Sequence, residues 1–135
     1  MNAKCDDFSP LHGTSLNGQV DSARILLDNG AHVNAKCTGD WAPLHYASFY
    51  GHIKFAQLLL EKDANSNART SYQATPLCVA SVHGHIEIVR TLLDHGADVN
   101  VRGYSEASLT PYQVATQCGR HDIAQLLLEH GAERE

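Results

Sequence analysis

The chain has 135 residues, 43% of them hydrophobic, and a formal charge of −5 at pH 7 with histidine neutral. Its apolar runs are only a few residues long, whereas a membrane-spanning helix needs about 18 or more. The opening MNAKCDDFSP carries neither the basic start nor the apolar stretch of a secretory signal. The ten Lys and Arg residues stand singly, so the basic stripe expected of a nucleic-acid binder is not visible.

The four cysteines, Cys5, Cys37, Cys78 and Cys118, form no C-x-x-C pair. Reduced thiols in a cytoplasmic or nuclear protein are the expectation, with no metal or cofactor. The closest approach to a metal motif is His83-Gly84-His85, which falls at a recurring turn.

Taken along the chain, the dominant feature is repetition. Prolines stand at Pro10, Pro43, Pro76 and Pro111, in steps of 33, 33 and 35 residues, and each is followed eight residues later by Gly18, Gly51, Gly84 or Gly119. A period of this length marks a stacked-repeat architecture. Repeat one opens with SPLHGT (Ser9–Thr14) and repeat two with APLHYA (Ala42–Ala47). Repeat three opens with TPLCVA (Thr75–Ala80), and repeat four, more worn, with TPYQVA (Thr110–Ala115).

The third repeat is the clearest physically. Thr75 precedes Pro76 and can cap a helix whose first position is that proline. Leu77 and Ala80 then face the same way, and Gly84 closes the helix in a left-handed turn. A second helix follows, with Ile86, Ile88, Val89, Leu92 and Leu93 as its apolar stripe, and Gly96 ends it. One such helical hairpin cannot bury both its faces and must stack on a neighbour.

These motifs resemble ankyrin repeats, whose T-P-L-H-x-A signature recurs four times and whose G-A-D-V-N ending appears as Gly30–Asn34 and Gly96–Asn100. The resemblance implies an all-α solenoid of four stacked helix-turn-helix units with β-hairpin loops. The whole of residues 1–135 reads as one such domain, with repeats at about 2–34, 35–67, 68–100 and 101–132. It also implies that His12 and His45 hydrogen-bond between neighbouring repeats, as do His52 and His85 after the turn glycines.

Departures from the pattern carry their own expectations. Ala42 stands in place of a capping Ser or Thr, a loss of about 1 kcal/mol unless Asp40 substitutes. Asp63 occupies a glycine position, and Thr14 replaces the small packing alanine. Two extra residues enlarge the loop of repeat four at about Gly103 to Ser108. Asn2-Ala3-Lys4 matches the interior sequence Asn34-Ala35-Lys36, as though the chain were cut from a longer array. At the other end, His121 makes the last repeat polar outside.

No nucleophile, base and orienting acid stand together, and neither a G-x-S-x-G elbow nor a phosphate loop is present. The reading is therefore non-enzymatic: a monomer that binds a protein or peptide, as an adaptor or targeting segment of a larger protein. A stand-alone inhibitor resembling four-repeat kinase inhibitors is the alternative. In the family, partners meet hairpin tips and the exposed face of the first helices. That maps to Phe8, Leu16 and Asn17 in repeat one, and to Thr38, Asp40, Trp41, Tyr46, Phe49 and Tyr50 in repeat two. Repeat three contributes Ser71, Tyr72, Val79, Val82 and His83. Repeat four contributes Tyr104, Glu106, Leu109, Gln113 and Gln117. Trp41, Phe49, Tyr50 and Tyr72 are the expected anchors, although Trp41 and Phe49 folding back over the core is the competing possibility. Phe55 is expected in the core. Asn100, in the context Leu92, Asp98, Val99, resembles an asparagine hydroxylated in ankyrin repeats and is a possible modification site.

Overall fold

The computed structural model describes residues 10–103 and 108–132. Phe8, Tyr104 and Glu106 lie outside the described residues, as do Cys5 and the Asn2-Ala3-Lys4 motif, and so do the side chains of Leu16 and Thr38. The described residues form eight helices in four pairs: α1 (Pro10–Asn17) with α2 (Val20–Asp28), α3 (Pro43–Tyr50) with α4 (Ile53–Glu61), α5 (Pro76–His83) with α6 (Ile86–Asp94), and α7 (Pro111–Gln117) with α8 (His121–Glu129). A short 3-10 turn, Thr38–Asp40, precedes α3.

The helices start and stop where local chemistry requires. Thr75 Oγ1 accepts from the Cys78 N–H at 3.3 Å. Thr110 and Gln113 cap reciprocally: the Gln113 N–H donates to Thr110 Oγ1 and the Thr110 N–H to Gln113 Oε1. Ala42 has no side-chain cap, and the Asp40 carboxylate does not supply one. Instead the Ala42 N–H donates to His45 Nδ1 at 3.0 Å. Gly51 and Gly84 close α3 and α5 at φ 77° and 78°, and Asp63 takes the left-handed conformation at φ 69° in its glycine position.

First helices pack on first helices in the order α1, α3, α5, α7, and second helices form a parallel row α2, α4, α6, α8. The core runs between the two rows. Leu11, Leu44, Phe55, Leu59, Leu77, Val89, Leu92 and Leu127 are all at most 1% exposed. Phe55 is thus a core residue, as expected.

The hairpins between repeats are tight turns more than strands. The loops of repeats two and three close with Cys37 N–H to Trp41 O and Thr70 N–H to Ala74 O, both 2.9 Å, and the Ser71 N–H joins them by donating to Gly39 O at 2.8 Å. In the enlarged loop of repeat four, Gly103 and Leu109 form an antiparallel bridge. No helix among the described residues is long and apolar enough to cross a membrane.

Candidate partner-binding face

The groove on the first-helix side is built from α3 and the loop before it. Positions three, six and seven after Pro43 carry Tyr46, Phe49 and Tyr50. At helical spacing these fall on the side turned away from Leu44, Ala47 and Ser48, which are buried. Trp41 joins them from the loop. With Tyr46, Phe49 and Tyr50 it lines a groove of about 330 Å³.

The rings form one contiguous patch. Trp41 lies 5.1 Å from Tyr46 and 6.0 Å from Phe49, Phe49 lies 4.8 Å from Tyr50, and the His83 ring of the next repeat lies 4.2 Å from Phe49. Interplanar angles of 43° to 66° make the patch ridged, not flat. Phe49 and Tyr50 are 37% and 49% exposed. Trp41 and Tyr46 are half-buried.

Backbone bonds from the neighbouring repeats hold this patch in place. The Trp41 carbonyl accepts from His12 Nε2 at 3.0 Å as well as from the Cys37 N–H. The Phe49 carbonyl accepts from His85 Nε2 at 3.0 Å. Tyr46 meets the buried Cys37 thiol, Oη to Sγ 3.0 Å, and burial with this contact raises the phenol above its ordinary range. Burial lowers the His83 pKa, aided by the neighbouring His85 and Arg120, so the ring beside Phe49 takes up a proton less readily than a free imidazole.

A family model described as ankyrin repeats (3 copies) matches residues 1–70 and 70–134. The chain belongs to the ankyrin-repeat family. Among curated proteins, none matches it. Ankyrin repeats are generally protein–protein interaction modules and typically non-catalytic.

Seen as ankyrin units, the other expected positions divide. Tyr72 is 78% exposed at the tip of the third hairpin. Asp40, Asn17, Ser71 and Gln117 are exposed, and Val82, His83 and Leu109 are half-buried. Val79 is a correction: expected on the open face, it is 3% exposed. It occupies the repeat position of Tyr46, but its short side chain ends within the contacts between neighbouring first helices, while the phenol extends past them. Gln113 also turns inward, to its cap.

The interrepeat roles of His12, His45 and His85 are visible in the bonding. His45 Nε2 reaches Ala68 O at 3.0 Å and Ala74 O at 3.2 Å, and its ring is fully buried. The loop asparagines form rungs. Asn34 Oδ1 accepts from the Asn65 N–H at 2.7 Å, and Asn67 Oδ1 from the Asp98 N–H at 2.6 Å. Asn100 Nδ2 donates to Gly131 O at 3.3 Å. Asn100, expected as a modification site, therefore has a structural use.

Sequence reading missed one feature of this side. Lys36, Arg69 and Arg102 recur at the same 33-residue step and are all exposed, one at the base of each hairpin. Applying the period to charge as well as to proline would have found them.

Proposed function

We propose that the chain is a non-enzymatic recognition module that binds a protein or peptide segment across the first-helix side of repeats two and three. Trp41, Phe49, Tyr50 and Tyr72 are its anchors, with Tyr46, Asp40, Val82, His83 and Gln117 around them. The observation that carries this reading is the aromatic patch itself. A chain that buries Phe55 completely leaves Phe49, Tyr50 and Tyr72 in water, and aromatic anchors supply much of the energy at interfaces.

The test is affinity for a captured partner. The variant Trp41→Ala and the pair Phe49→Ala with Tyr50→Ala are each expected to bind more weakly than the intact chain by roughly 2 kcal/mol or more while circular dichroism shows the helices retained. Equal affinity in folded variants would remove the site from this face. An adaptor segment and an inhibitor would use the same surface, and inhibition of a kinase by the isolated chain would favour the second.

A further inference from the structure

The formal charge of −5 conceals a segregated distribution. Among the described residues the hairpins, first helices and turns leading into the second helices carry Lys36, Arg69, Arg102 and Arg120, with Asp40 at a hairpin tip and with Asp63 and Asp98 in the loops that leave the second helices. The acids collect on the second helices, at Asp21, Asp28, Glu61, Glu87, Asp94, Asp122 and Glu129, alongside Arg24, Lys54 and Arg90. The side that holds the aromatic groove is therefore the positive side of an acidic protein.

Two of these cations stand at the bases of the hairpins that carry Trp41 and Tyr72. Lys36 precedes Cys37, whose N–H pairs with the Trp41 carbonyl, and Arg69 precedes Thr70, which opens the turn bearing Tyr72. Both are exposed. Lys36 Nζ donates to the Arg69 carbonyl at 3.4 Å, and Arg69 donates to Gln73 Oε1 at 3.0 Å. These acceptors are neutral, and the one ion pair among the described residues, Lys62 with Asp28, is on the other side. The Lys36 charge is felt just behind the groove, at the buried His45. After desolvation, which dominates, it helps to lower the pKa of His45, whose ring lies 5.5 Å from Trp41.

We infer that the partner is an extended acidic peptide segment whose carboxylates meet Lys36 and Arg69 while a neighbouring apolar side chain enters the Trp41 groove. This rests on the reading of the aromatic face as the binding surface and adds the chemistry of what binds there. Rim cations of this kind steer encounter and select against basic competitors, and their contribution is screened by salt. Asp40 at the hairpin tip sets a limit: an acidic segment must run along the hairpin bases and keep its carboxylates off the tip.

The test selects from a random dodecapeptide display library on the intact chain, then titrates the enriched peptides by the fluorescence of Trp41, the only tryptophan. The expected peptides are net acidic with an aromatic or branched apolar residue. Their Kd should rise about tenfold in the double variant Lys36→Glu with Arg69→Glu, less in the Lys36→Gln with Arg69→Gln pair, and also as salt goes from about 50 to 500 mM. Neutral or basic peptides that still need Phe49 and Tyr50 would overturn the acidic assignment and leave the face intact. Acidic peptides indifferent to Phe49→Ala with Tyr50→Ala, or a selection that enriches nothing, would overturn both.

Discussion

His45 Nε2 donates across the repeat boundary to the carbonyl oxygen of Ala68, 3.0 Å away. The opposite nitrogen, Nδ1, accepts from the Ala42 N–H, so its partners assign the neutral tautomer with the proton on Nε2. A second proton would face Ala42 donor to donor inside the core. Desolvation and this geometry point the same way, and the pKa is lowered to about 4.

Acid should therefore loosen the junction between repeats two and three. The unfolded chain takes up the His45 proton near pH 6.5, the folded chain only near pH 4. Stability from this residue is thus complete above pH 6.5, declines between the two values and is level below pH 4. The decline amounts to about 3 kcal/mol, and His12, lowered by burial too, adds to it. Urea midpoints measured from pH 7.5 to 4 check this, with His45→Gln as the variant whose profile should be flatter.

Gly51→Ala should destabilise more than Gly119→Ala. Both glycines have positive φ, 77° and 73°, which costs an alanine about 1–2 kcal/mol. A Cβ at Gly51 would in addition meet the His85 ring at 2.7 Å, whereas at Gly119 nothing lies within 4 Å. The same collision would disturb the His85 bond to Phe49. Equal losses in chemical denaturation would show that the ring moves aside freely.

Leu59→Ala and Leu92→Ala should each cost about 2–5 kcal/mol. Both side chains are 0% exposed in the row of second helices. A loss under 1 kcal/mol in urea titration would mean that the stack collapses around the cavity.

A hydroxyl at position 42 should help. Thr75→Ala is expected to lose about 1 kcal/mol and Ala42→Ser to gain up to that amount, because α3 begins with the same Pro at its first position but no side-chain cap. Thermal melting of the two variants gives the sign directly.

Repeat one should open first. Its second helix buries only Ala23, where α4 buries Phe55, Ala56, Leu58, Leu59 and Leu60. Ile25 is 62% exposed at the position where Leu58 is 2% exposed. Hydrogen exchange is expected to be faster in α2 than in α4 and α6, and the reverse order would contradict it.

Much of the fold was legible because its signals are local. Proline, capping threonine and turn glycine act within a few residues of themselves, and repetition at one period extends them to the array. The face was legible only in outline. Val79 and Tyr46 share a repeat position, and which is covered depends on side-chain length against the spacing of neighbouring helices, a tertiary quantity. The contact of Phe49 with His83 likewise joins two repeats, and nothing in either segment alone announces it. The cation row escaped because its members are far apart in sequence and adjacent only once the units are stacked.

The ties between repeats run in both directions. His12, His45, Asn34, Asn67 and Asn100 reach forward to the following unit, while His85 and Arg120 reach back to Phe49 and Val82. Fastened at both margins, successive units have little room to twist or slide, and the groove keeps its shape whether filled or not. Such a receptor surrenders little freedom when it captures a ligand, so the adjustment on association falls on the partner.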